Sequence, residues 1–133
     1  FGCQSNTKQE CLDRGLFGAP QNMWATIKNI KPRRTALFLY DFSNQRLMGL
    51  YQASEPPAFN AVPEAWASRR VASASKALSP YPSQVQFRTV QVLPNLNVHE
   101  YNRAIGQNTK LKHSIVLSHS QVKAIVAAMQ AKK

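Results

Sequence analysis

Residues 37–53, LFLYDFSNQRLMGLYQA, constrain this chain more than any other stretch. Two apolar, aromatic-rich runs flank the polar break Ser43-Asn44-Gln45, the pattern of a β-hairpin. Neither run alternates cleanly with polar residues, so both faces are expected to be covered. That is the condition of central strands in a small barrel, or in a sheet flanked by helices. Gly49, inside the second run, marks a bulge, a barrel bend or a close backbone approach.

The rest of the chain supplies shorter elements around this hairpin. Residues 1–4 read as a strand entering the core. Thr7 with Glu10 has capping-box spacing, so a helix is expected over residues 8–14, ended by Gly15 in a left-handed C-cap. Residues 16–20 read as a turn carrying one aromatic, and Met23, Trp24, Ile27 and Ile30 as an irregular apolar segment over a barrel end. Five prolines within residues 55–84 make that region a long loop, with residues 67–80 expected to be mobile. Residues 85–93, VQFRTVQVL, form the clearest strand, with Val85, Phe87, Thr89 and Leu93 on one face and Val90 and Val92 on the other. Asn97 caps a helix running to about Ile105 before Gly106. Leu111, His113, Ile115 and Leu117 alternate as a last strand. Ser118, with Gln121 three residues on, caps a C-terminal helix whose stripe is Val122, Ile125, Val126 and Met129. The expected fold is α+β: one domain over residues 1–133, a strongly bent sheet or barrel of about five or six strands, flanked by short helices and a C-terminal helix.

Charge narrows the function. Seventeen Lys and Arg against six Asp and Glu give +11, and residues 101–133 hold six cations and no acid. Such a bias points to a polyanion, most often a nucleic acid such as single-stranded RNA, with an acidic protein or a lipid surface as lesser options. Arg33 and Arg34, in the basic turn before the hairpin, and Arg69, Arg70, Lys110 and Lys112 are the candidate phosphate contacts. Phe17, Trp24, Tyr40 and Trp66 are the candidate aromatics for stacking a base. Trp66 beside Arg69 and Arg70 either stacks a base or pins its loop to the core. Catalysis has no foothold: there is no Walker loop, no dinucleotide fingerprint, no nucleophile elbow and no metal-binding helix motif. The three histidines fall on separate elements. A non-enzymatic module with no cofactor and no metal is expected. Cys3 and Cys11 lack disulfide-framework or zinc spacing and read as reduced core cysteines, which places the protein inside the cell, in nucleus or cytoplasm. No apolar run is long enough to span a membrane.

Three ordered motifs carry a resemblance. Phe17-Gly18-Ala19-Pro20, Leu37-Phe38-Leu39-Tyr40 and Pro82-Ser83-Gln84-Val85 resemble the FGLP, LFLY and PAQV signatures of the plant DCD (development and cell death) domain. Residues 7–18, Gly49-Leu50-Tyr51-Gln52-Ala53, and Pro63 with Trp66 are similar too. Ala19 and Ser83 replace the commoner Leu and Ala, and Pro94-Asn95-Leu96-Asn97 departs from the fourth signature, PLxE. The resemblance implies a plant protein of stress response, development or programmed cell death, with a mixed α/β domain and no enzymatic activity. More distantly, a capped helix followed by Gly15-Leu16-Phe17 and this hairpin is similar to YTH and related PUA-like domains. Those bind RNA or modified bases on a small barrel, and the likeness would set Phe17 near their base cage. The two functions implied are RNA or nucleobase binding through an aromatic cleft with a basic rim, and protein–protein interaction in signalling.

Overall fold

A computed structural model of the chain describes residues 1–3, 5–67, 78–106 and 116–132. Its elements in order are β1 (Gly2–Cys3), α1 (Ser5–Arg14), β2 (Leu16–Ala19), a 3-10 turn (Gln21–Met23), α2 (Trp24–Ile27), β3 (Ala36–Asp41), β4 (Arg46–Ala53), β5 (Ala58–Phe59), β6 (Ser83–Thr89), β7 (Leu96–Asn97), α3 (Val98–Ile105) and α4 (His119–Ala131). The hairpin β3–β4 is the centre of the sheet, whose order is β1-β3-β4-β6-β2. β1 runs parallel to β3 and the other pairings are antiparallel, so the mixed sheet curls into a nearly closed barrel. β6 makes the curl possible by serving two partners in turn. Its first half pairs with β2 and β5, its second half with β4.

Both faces of the hairpin are buried, as its composition demands. Leu37, Leu39, Met48 and Tyr51 pack in one buried cluster with Leu16, Phe17 and Val85. Phe38, Tyr40 and Leu47 point outward and are covered by Tyr101 of α3 and by Ile125 and Met129 of α4. Leu37 pairs with Tyr51 but Leu39 with Met48, so β4 carries one extra residue and bulges at Gly49. The ring of Phe38 fills the space where a Cβ on Gly49 would stand, at 2.6 Å. The tight end of the hairpin is tied by Asp41, whose carboxylate accepts hydrogen bonds from the backbone N–H of Ser43 and Asn44 and from the Asn44 amide. The Lys8 ammonium approaches it to 3.5 Å. Burial pushes the Asp41 carboxyl up, but the Asn44 hydrogen bonds and Lys8 outweigh it and hold the group below its ordinary range.

Several expectations are met residue by residue. Gly15 and Gly106 end α1 and α3 with φ of 60° and 70°. Asn97 with Glu100, and Ser118 with Gln121, form complete capping boxes. Cys3 and Cys11 are buried and free. Others are corrected. α1 begins at Ser5, so Thr7 lies inside it and Glu10 is no capping partner. Glu10 instead accepts from Arg14 Nε and from the backbone N–H of Trp66. Residues 16–19 are a strand rather than a turn, because hydrogen bonding to β6 overrides the turn preference of Gly18. β6 stops at Thr89, and the chain then turns so that Leu93 joins the outer core while Val92 is 87% exposed. The strand expected around Leu111, His113 and Ile115, and most of the mobile stretch expected at 67–80, fall outside the described residues.

Candidate functional site

The outward face of β3 does not lie flush against the helices. Between it, the loop after α2 and the start of α4 is a cavity of about 460 Å³, within the usual range for small-molecule sites. Phe38, Tyr40, Leu47, Tyr101 and Val122 are among its walls, and Arg34, Asn29 and His119 stand exposed at its rim. Strand alternation explains the walls: β3 sends Leu37 and Leu39 into the barrel and therefore Phe38 and Tyr40 outward. Tyr40 also meets Phe42 edge to face at 5.0 Å. Burial raises the pKa of the Tyr40 phenol, with Arg46 opposing it and Asp41 adding to it.

The loop leading into β3 is cationic. Lys28, Lys31, Arg33 and Arg34 are exposed, and none of them meets an acid among the described residues. Lys31 begins a turn, its carbonyl accepting from the N–H of Arg34 and Thr35 while its own N–H donates to Thr35 Oγ1. Arg33 takes φ of 65°, and its carbonyl accepts from Gln52 Nε2 at 3.3 Å. Gln52 Oε1 accepts in turn from Arg88 Nη2 at 3.1 Å. One glutamine thus joins the cationic loop to a fifth cation on β6.

The other aromatics singled out from the sequence are placed elsewhere. Phe17 is 0% exposed and lies inside the barrel, stacked on Phe87 at 3.9 Å and edge-on to Tyr51. Trp66, 2% exposed, also packs into the barrel. Its ring lies over Gly18, where a Cβ would stand 2.5 Å from it, and meets Tyr81 edge to face. The backbone around it is pinned by Glu10, and by Ser79, whose hydroxyl donates to the Ala65 carbonyl. Of the two readings left open for Trp66, the geometry is that of a pin. As placed, neither Phe17 nor Trp66 offers a free ring face, which corrects their expected role as stacking platforms. The reason is topological: β2 is a barrel strand and its aromatic points in. Trp24 stands apart, half-buried, edge-on to Phe59 at 5.6 Å. Of the ten residues nominated, Tyr40 and Arg34 meet at the cavity, with Arg33 beside them. Arg69, Arg70, Lys110 and Lys112 lie outside the described residues.

Sequence reasoning passed over Tyr101, Phe38, Gln52 and Arg88. Alternation already set Gln52 and Arg88 on the outer faces of their strands. Only the register, Gln52 opposite Arg88, shows that they touch. The described residues contain no group of three or more His, Cys, Asp or Glu able to hold a metal ion, and no helix long and apolar enough to cross a membrane.

The motif segments acquire physical roles here. Gln84, 1% exposed, donates to the carbonyls of Val62 and Tyr81 and accepts from the Val62 N–H. Ser83 donates to the Pro20 carbonyl. These buried polar side chains fasten the chain around residue 62 and the end of β2 onto β6.

Comparison with known proteins agrees with this layout. The family model described as "Development and cell death domain" matches residues 1–129. The DCD domain-containing protein NRP-A of Glycine max is 33% identical over 118 residues, 89% of this chain and 31% of that protein. The B2 protein of Daucus carota is 33% identical over 92 residues, 69% of this chain and 42% of its own length. The chain therefore spans less than half the length of these relatives. Among solved structures, the YTH domain of Pho92, in complex with m6A, superposes over 100% of this chain and 84% of its own. The TM-score is 0.64 at 12% identity, a likeness of fold alone.

Proposed function

The chain belongs to the development and cell death domain family, and we propose that it works as a non-enzymatic binding module for single-stranded RNA. In this reading one base enters the cavity beside β3 and the sugar-phosphate chain runs over the cationic loop. The observation that carries it is the juxtaposition of an aromatic-walled cavity of about 460 Å³ with a rim containing Arg34 and unpaired cations beside it. Tyr40 and Phe38 supply ring surface, and a stacked base is worth about 1–3 kcal/mol. Arg33, Arg34, Lys28, Lys31 and Arg88 supply charge for phosphates, which position a strand without reading its sequence. Support also comes from the shared fold with a YTH domain bound to m6A. By family, such a module would serve plant proteins of development, stress and cell death, in nucleus or cytoplasm.

Salt dependence tests this reading. Each neutralised phosphate releases condensed counterion, so the affinity for single-stranded RNA should fall with log salt at a slope of about −0.7 per contact. Replacing Arg33 and Arg34 together with Ala should flatten that slope by roughly one to two contacts' worth, with base preference unchanged. Replacing Tyr40 with Ala should weaken binding at unchanged slope. Wild-type protein that binds RNA near physiological salt no better than a generic polyanion would sink the proposal. A protein-interaction role would then lead, favoured by the enclosure of Phe17 and Trp66 in the barrel and by the exposed Val92 and Val116.

A further inference from the structure

Gln52 stands at the middle of a row that crosses the sheet. On one side it pairs with Ala36 of β3, on the other with Arg88 of β6. Residues opposite one another on paired strands share a face, and here it is the outer one. Ala36 packs with the outer cluster, while Tyr51, Ala53 and Phe87, the chain neighbours of Gln52 and Arg88, pack with the inner one. The row starts at the cavity beside β3, where Arg34, Thr35 and Ala36 are wall residues. Ala36 contributes only a methyl group to the step from cavity to Gln52. From β3 to β6 are two inter-strand spacings, about 10 Å, so a ligand that touches both the cavity and Arg88 is an extended one.

Both ends of the Gln52 amide are engaged. Its Nε2 donates to the Arg33 carbonyl and its Oε1 accepts from Arg88 Nη2. A neutral amide orients a guanidinium without cancelling its charge, as a carboxylate would. The remaining N–H donors of Arg88 stay available to other acceptors. Arg33 holds a left-handed φ of 65°, which costs a non-glycine residue free energy, and the bond to its carbonyl helps to hold that turn. None of the salt bridges among the described residues involves Arg33, Arg34 or Arg88. Glu55, the acid nearest to Gln52 in sequence, is exposed and pairs with none of them. Uncancelled cations thus flank a neutral residue on a surface continuous with the cavity.

We propose that the RNA strand leaves the cavity across the outer face of the sheet, over Ala36, Gln52 and Arg88, and that Gln52 is a positioning residue that sets Arg88 and the Arg33 turn to meet its phosphates. This rests on the RNA-binding reading above and adds the path of the strand. An extended chain with a charge on every nucleotide suits the row, because the guanidinium groups at its two ends can each take a different phosphate.

The test is a double-mutant cycle on binding of a twelve-nucleotide single-stranded oligoadenylate, measured across a range of salt. The proteins are wild type, Gln52→Met, Arg88→Ala and the double variant, all compared well below their thermal midpoints. Arg88→Ala should flatten the log-salt slope by about 0.7, one phosphate contact. Gln52→Met keeps the length of the side chain and the net charge, yet should bind roughly three- to tenfold more weakly. It should cost less in the Arg88→Ala background than in wild type, because part of what it orients is already gone. If the wild type binds the strand no better than it binds dextran sulfate, the RNA-binding reading itself fails. If the wild type binds and Arg33→Ala with Arg34→Ala flattens the slope while Arg88→Ala does not, only the path over the sheet is overturned. A Gln52→Met variant that binds like wild type, or whose cost is the same with and without Arg88, overturns the positioning role.

Discussion

Trp66 is where a core role and a binding role make opposite predictions, so its replacement is the sharpest test of the architecture. The side chain is 2% exposed. An aromatic of this size buries about 150–250 Å², and at about 25 cal/mol per Å² that corresponds to roughly 4–6 kcal/mol of transfer free energy. The indole N–H faces the Cys11 sulfur and has no other partner among the described residues, so truncation forfeits packing and little else. Partial collapse of the barrel end should offset some of the loss, leaving Trp66→Ala destabilised by about 3–5 kcal/mol. Against a domain stability of about 5–15 kcal/mol, that could leave a substantial fraction unfolded. Trp66→Phe, which retains a ring over Gly18, should therefore be measured beside it and should lose much less. Urea denaturation monitored by circular dichroism gives both values. A Trp24→Phe background makes Trp66 the sole indole, whose fluorescence should resist acrylamide until the urea transition. The core assignment is refuted if Trp66→Ala unfolds within about 1 kcal/mol of wild type while losing RNA affinity. That pattern belongs to an exposed stacking residue.

Gly18→Ala should cost about 1–3 kcal/mol by overpacking against the Trp66 ring, and the penalty should shrink in a Trp66→Ala background; additive losses in urea melts would count against that contact. Gly49→Ala should be destabilised similarly, because its new methyl meets the Phe38 ring at 2.6 Å. Asp41→Ala should lose about 1–3 kcal/mol near neutral pH. Its folded pKa is depressed, so its contribution is fully present above the unfolded value of about 3.9 and is lost as pH falls through the lower folded value. Wild type and variant should therefore converge in stability in acid, and a gap that widens there contradicts the sign. Burial pushes the thiols of Cys3 and Cys11 up to about 12 and about 11, so a thiol-disulfide reagent at mildly alkaline pH should label neither until urea unfolds the chain; rapid labelling of the native protein would contradict their burial.

Much of this fold is written locally. Two apolar runs around Ser43-Asn44-Gln45 indicate the hairpin and its two-sided burial, because apolar side chains on both faces of each strand need cover on both sides. Asn97 with Glu100 and Ser118 with Gln121 start their helices through bonds three residues apart, which sequence displays directly. Gly15, Gly49 and Gly106 likewise occupy positions where a left-handed turn or a close ring requires glycine. The motifs around Phe17, Leu37 and Pro82 were enough to indicate the family.

The direction of the aromatics was decided only in three dimensions. Phe17 reads as exposed if residues 16–20 are a turn, and as core once they pair with β6 across some seventy residues of chain. Nothing local to either segment specifies that pairing; the burial gained by closing the barrel does. Trp66 follows, since its place is set by Glu10, Gly18 and Ser79 from distant parts of the chain. The cavity beside β3 belongs to the same class. Tyr40, Arg34 and Tyr101 are unremarkable where they stand in the sequence. They come together because α3 and α4 pack over the outer face of the hairpin without filling it, and only tertiary packing determines what it leaves empty.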